Sequence, residues 1–147
     1  MLNIPLRYTI KNTIVKGPIG YLLRKSGAVP IVRTREQSGR ASYIDLMTGI
    51  IEKTDRIAMV ITPEGTRSIN NTWKTGFYHV AKNSNVPIAL GYLDYKRKVS
   101  GIGLIIYPNN FDEDMKEIMC FYENVTPRHP ERFSIDKKYT CADKLKR

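Results

Sequence analysis

Cysteine is scarce in this 147-residue chain. Cys120 and Cys141 are the only two, and they stand in no Cys-x-x-Cys spacing. Neither a disulfide framework nor a zinc site is implied, and the default for such a pair is two reduced thiols in a cytosolic protein. Long apolar runs are missing too. No stretch approaches the ~18–20 residues that would span a bilayer, so any membrane contact is expected to be peripheral. The N-terminus, MLNIPLRYTIKNTIVKG, is interrupted by Pro5, Arg7 and Lys11 and has no signal-peptide apolar core. Without a secretory signal the sequons at Asn70-Asn71-Thr72 and Asn124-Val125-Thr126 carry little meaning. Acidic residues are also few, 14 against 24 lysines and arginines, for a net charge of +10.

What is present suits one folded domain. Hydrophobic content of 41% and charged content of 26% are ordinary for a globular protein. The basic excess is uneven: residues 1–40 carry +7, residues 128–147 carry +4 and the middle carries −1. Such ends suit an anionic partner, whether a phosphate-bearing substrate, an anionic lipid surface or nucleic acid, or they simply aid solubility. Nucleic acid is the weakest of these. Aromatic residues do not alternate with basic ones as a stacking platform requires, and neither zinc spacing nor a recognition helix is visible.

Strand and helix patterns alternate. LRYTI (6–10) reads as a short strand and GPIGYLLRKSG (17–27) as a helix with Pro18 in its first turn. Ile19, Leu22 and Leu23 form its apolar face, and Gly27 is its stop. AVPIVR (28–33) reads as a strand, with Pro30 arguing for an edge or a bulge. Apolar residues at Ile44, Met47, Ile50 and Ile51 predict a helix over 39–54. RIAMVIT (56–62) reads as a strand buried on both faces. A helix over 74–84 and two strands, 86–95 and 101–108, paired as a hairpin across Lys96-Arg97-Lys98, come next. Asp112 is expected to cap a helix through residue 123, with Met115, Ile118, Met119 and Tyr122 inward. The fold class is therefore α/β, a mixed and largely parallel sheet flanked by helices. Its boundaries are 1–127 for the domain and 128–147 for a basic tail.

The chemistry gathers in one loop, TPEGTRS, after the strand at 56–62. In open α/β sheets ligands collect beyond the carboxyl ends of strands. Pro63 restrains the exit, Gly65 permits close approach or a positive φ, and Thr66 and Ser68 donate to anionic oxygens. Arg67 offers a planar fork suited to phosphate, and Glu64 orients it or accepts from a substrate hydroxyl. Such a loop would grip a phosphomonoester on a small polyol. A surface turn with an incidental Glu–Arg pair is the other reading of the same residues. A Walker loop is excluded, because its Gly-Lys-Ser/Thr ending is absent.

These residues also resemble a known family. TPEGTRS is similar to the third conserved block of the glycerolipid acyltransferases, the lysophosphatidate acyltransferase family. GAVPIVR (27–33) resembles the second block, with Arg33 at its arginine. VPIALGYL (86–93) resembles the fourth, and KTGFYHVA (74–81) the helix that follows the third. The resemblance covers roughly residues 7–95, in the family's order. It implies a glycerol-3-phosphate acyltransferase-like fold and acyl transfer, from acyl-CoA or acyl-carrier protein as co-substrate, to a glycerol phosphate or lysophospholipid acceptor. No bound cofactor is implied. Arg33, Glu64, Gly65, Thr66, Arg67 and Lys74 would hold the acceptor's phosphate, and Lys11 would add positive charge. The implied location is cytoplasmic, peripheral on the inner face of the membrane.

The family's first block, His-(four residues)-Asp, supplies the general base and its orienting carboxylate. Here the residues five after His79 and His129 are Ser84 and Ser134, so neither histidine completes the block. No catalytic residue is therefore assigned. The expectation is an N-terminally truncated frame lacking the base and inactive as it stands, or else a non-catalytic phosphate-binding module. His79 in FYHVA reads as a packing residue, His129 as a solvated one, Cys120 as a small core residue and Trp73 as a core cap. Lys11, Lys16, Arg24 and Lys25 around IGYLL form a basic, partly apolar docking face for an anionic membrane, or an ordinary core helix.

Overall fold

A computed structural model describes residues 4–15, 17–31, 40–65 and 69–141. Its contacts divide the chain into two units, Met1–Thr62 and Pro63–Arg147.

The first unit is built on strand β1 (Leu6–Lys11), helix α1 (Gly17–Lys25), strand β2 (Ala28–Ile31), helix α2 (Arg40–Glu52) and strand β3 (Ala58–Val60). The strands form a parallel sheet in the order β2-β1-β3. β1 pairs Tyr8 with Ala28 on one side and Leu6 with Ala58 on the other. Parallel neighbours need a crossover, and α1 and α2 supply it. Pro30 lies on the edge strand β2, one of the two placements expected of it. Met47 is fully buried on α2, Ala28 is buried on β2, and Val15 is buried between β1 and α1.

Two expectations for this unit are corrected. The run at 56–62 forms only a three-residue strand, paired on one side among the described residues, with Val60 exposed. An unbroken apolar run does not distinguish such an edge from a strand covered on both faces. In α1, Ile19 and Leu22 are exposed, at 66% and 65%, and the buried residue is Gly20. A methyl at Gly20 would collide with the carbonyl of Val15, so α1 packs through Gly20, with Leu23 half-buried and Ile19, Tyr21 and Leu22 outside.

The second unit contains helix α3 (Gly76–Asn83), strands β4 (Ile88–Asp94) and β5 (Val99–Ile106), and helix α4 (Phe111–Glu123). β4 and β5 are the expected antiparallel hairpin, with an irregularity between Ala89 and Gly91. Buried Asp94 shapes its turn by accepting from the Arg97 N–H at 2.8 Å. That bond, foremost among several, holds its carboxyl below the usual aspartate range. Met115, Ile118 and Met119 on α4 are fully buried against Leu90, Ile106, Trp73 and Tyr139, with Tyr122 half-buried beside them. The cap of α4 is Asn110, not Asp112: its side chain accepts from the Asp112 N–H at 3.2 Å. Asp112, Glu113 and Asp114 instead occupy the first turn, where the helix dipole favours negative charge.

Within the segment expected to be a polar tail, residues 128–132 are exposed but residues 133–141 pack back on the core. Tyr139 and Asp136 are buried, at 5% exposure each, and Ile135 lies against the core. The cysteines are also corrected: Cys120 on α4 and Cys141 form a disulfide, their Cα atoms 5.3 Å apart. Their separation of 21 residues shows no motif, and the partners meet only because residues 133–141 fold back along α4.

Candidate functional site

The described part of the loop is Glu64–Gly65 and the return from Ile69 to Thr75; Thr66, Arg67 and Ser68 lie outside the described residues, as does Arg33. The neck of the loop is closed by the Lys74 N–H donating to the Pro63 carbonyl at 2.8 Å. Asn70 organises the return strand of the loop. Its amide donates to the Glu64 carbonyl at 3.4 Å, and its side-chain oxygen accepts from the Thr72 N–H at 3.1 Å, the local turn that asparagine favours.

Gly65 has φ +62°, a left-handed conformation that only glycine adopts at little cost. A Cβ there would lie 2.8 to 2.9 Å from Cδ, Cε and Nζ of Lys74. The lysine side chain therefore lies directly over the glycine, and the loop carries a cation where backbone is most open. Glu64 is half-buried. Burial, and secondarily the Glu64 charge, push the Tyr122 phenol up. Tyr122 in turn donates to the Gly91 carbonyl at 2.9 Å and packs its ring 5.5 Å from that of Trp73.

Of the expected phosphate-holding residues, the structure brings Glu64, Gly65 and Lys74 together. Lys11 ends β1 in the first unit. Trp73 is a core residue, as its sequence position suggested. His79 is half-buried, stacked at 5.8 Å and 11° on Phe111 and edge-on to Tyr78, the packing role expected of it. His129 is exposed beside Glu131, 3.4 Å away. Among the described residues no group of three or more His, Cys, Asp or Glu could hold a metal ion, and no helix is long and apolar enough to cross a membrane.

Sequence reading passed over the residues that brace the loop from behind. The Trp73 N–H donates to Asp136 at 3.1 Å and its indole N–H to the Ser134 carbonyl at 3.3 Å, while the Ser134 hydroxyl donates to the Asn70 carbonyl. These contacts cross 61 to 64 residues of chain. No local pattern announces them.

A family model described as Acyltransferase matches residues 3–90. The chain belongs to the acyltransferase family. Comparison with curated proteins and with solved structures returned no match. The acyltransferase match includes Arg33, the loop and Lys74, and ends within β4. The bracing residues 133–139 lie beyond it. As an acyltransferase, the chain is expected to handle an acyl donor and an acceptor.

Proposed function

We propose that this chain serves acyl transfer from acyl-CoA or acyl-carrier protein to the hydroxyl of a glycerol phosphate or lysophospholipid acceptor. Arg33, Glu64, Gly65, Thr66, Arg67 and Lys74 hold the acceptor's phosphate. The observation that carries this reading is Lys74 lying over the left-handed Gly65 beside Glu64. A surface turn with an incidental ion pair needs neither the open backbone nor the cation above it. Each charge-assisted hydrogen bond nets about 1.5–3 kcal/mol. Two arginines therefore supply a site of roughly millimolar to micromolar strength.

Chemistry asks for more than this grip. The acceptor hydroxyl must lose its proton, and these 147 residues contain no His-(four residues)-Asp pair to take it. Lack of a base forfeits typically ~10²–10⁴-fold of rate. The 147 residues taken alone are thus proposed to bind acceptor with little turnover, and the competing reading is a phosphate- or headgroup-binding module without chemistry. Calorimetry with glycerol 3-phosphate tests the grip: Arg67→Ala should weaken binding by about 10- to 100-fold. Glu64→Ala should weaken it by several-fold, through loss of the arginine's orientation. Circular dichroism should be unchanged in both. Equal affinity in wild type and both variants would reduce the loop to a surface turn. Brisk release of CoA from acyl-CoA and lysophosphatidate by the same protein would overturn the low-turnover proposal.

A second observation favours contact with a membrane surface. α1 exposes Ile19, Tyr21 and Leu22, with Arg24 and Lys25 in its last turn and the Lys25 ammonium 4.9 Å above the Tyr21 ring. Apolar side chains flanked by cations suit the interface of an anionic bilayer. The proposed location is the inner face of a membrane. Flotation with anionic liposomes should recover the protein at low salt, and Leu22→Glu should abolish that recovery. Failure of the wild-type protein to float at any ionic strength would remove this proposal.

A further inference from the structure

We infer that Asp136 is a positioning residue for Lys74, acting through the Trp73 peptide, and that residues 133–139 form the strap that sets the loop's shape. The inference rests on the reading of the loop as a phosphate grip. Asp136 is buried, and both its oxygens are used: Oδ2 accepts from the Trp73 N–H and Oδ1 from the Lys138 N–H, each at 3.1 Å. Its own N–H faces the Met119 sulfur at 3.3 Å, which ties it to α4. A buried carboxylate is costly unless its lone pairs are satisfied. Here they are satisfied by backbone donors from two separate segments, so the carboxylate fixes one segment against the other.

What it fixes is adjacent to the site. Trp73 precedes Lys74, whose N–H closes the neck on Pro63 and whose side chain covers Gly65. If the Trp73 peptide turned, the Lys74 N–H would leave Pro63 and its ammonium would leave Gly65. Ser134 adds a second hold on the same stretch through Asn70 and the Trp73 indole. The strap is held at its own end by the Cys120–Cys141 bridge and by the Cys141 N–H donating to Glu123 at 3.1 Å. All of these residues belong to one unit, and all strap residues lie outside the family match. A loop whose cation is placed by a remote carboxylate is tuned by parts of the chain that the family pattern does not contain.

The test compares Asp136→Ala, Asp136→Asn and Tyr78→Phe. Tyr78 is a control: it is buried, its hydroxyl donates to Asp114 at 2.6 Å, and its ring packs edge-on against Phe111. Two readouts are taken, amide exchange over residues 69–75 and calorimetric affinity for glycerol 3-phosphate. Asp136→Ala should speed exchange at Trp73 and Lys74 and weaken affinity about tenfold. Asp136→Asn, which keeps an acceptor for Trp73, should stay within about threefold of wild type. Tyr78→Phe should lower the melting temperature without moving either readout. Should Asp136→Ala not fold, Ser134→Ala removes the Asn70 bond alone and should show the same exchange change in smaller degree. Wild-type exchange and affinity in Asp136→Ala, or equal changes in Tyr78→Phe, would overturn the inference. If wild type binds no glycerol 3-phosphate, the phosphate reading falls by itself, and exchange at Lys74 alone then decides whether Asp136 positions it.

Discussion

Gly27→Ala is expected to dismantle the parallel sheet, with the loss of amide protection across residues 6–11 and 28–31. Gly27 follows α1 with φ +100°, and its N–H closes the helix by donating to the Arg24 carbonyl at 3.1 Å. Its carbonyl accepts from the Tyr8 N–H at 3.2 Å, the first link between the turn and β1. An alanine methyl would sit inside the contact radius of the Leu6 carbonyl oxygen, a backbone atom that a rotamer change cannot move. Left-handed strain costs about 1–2 kcal/mol and overpacking a further ~1–3 kcal/mol. Together they amount to about 2–5 kcal/mol, a large part of the ~5–15 kcal/mol that holds a domain together. Gly17→Ala separates the two contributions. Gly17 has φ +73° but open space around its Cβ position, so only the strain of about 1–2 kcal/mol applies. Denaturant unfolding with amide exchange reads both variants. A Gly27→Ala protein as stable as Gly17→Ala would show that the packing against Leu6 is not real.

The second large effect belongs to the Cys120–Cys141 bridge. Closing a loop between residues 21 apart stabilises by about 3 kcal/mol, mostly through the entropy removed from the unfolded chain. Reduction by a small dithiol should therefore lower the unfolding midpoint by on the order of 10 °C. The single tryptophan, buried against Tyr122 and bonded to Asp136, reports the transition. The Cys120→Ser/Cys141→Ser double variant should match the reduced protein and should no longer respond to reductant. Two thiols reacting at once in the unreduced native protein, or a midpoint indifferent to reduction, would show that the bridge does not form.

Much of the architecture was legible because it is local. Among the described residues, local apolar pattern placed the four α-helices and five strands within a few residues, since much of what a segment buries is written in its own spacing. Hairpin turn, edge proline and helix stop were legible for the same reason, as was the mixed α/β class. The loop was legible by composition, its glycine at a position that turned out to need positive φ. Where reading failed, the cause was a rival of similar local quality. Asn110 and Asp112 are both good caps, and only the backbone path decides which one reaches the free N–H groups. Ile19 and Leu22 have core spacing, yet close packing of Gly20 on Val15 turns them outward.

By itself, then, the order of residues determined the elements, the family blocks and the residues proposed to hold phosphate, because each is a matter of neighbours within a few positions. Tertiary structure alone decided that Cys120 meets Cys141, that residues 133–139 are a strap and that Asp136 holds Trp73. Those partners are distant along the chain, and nothing short-range biases one such encounter over another. They are chosen only when the core around Met115, Ile118 and Met119 closes and a buried carboxylate must find donors within reach.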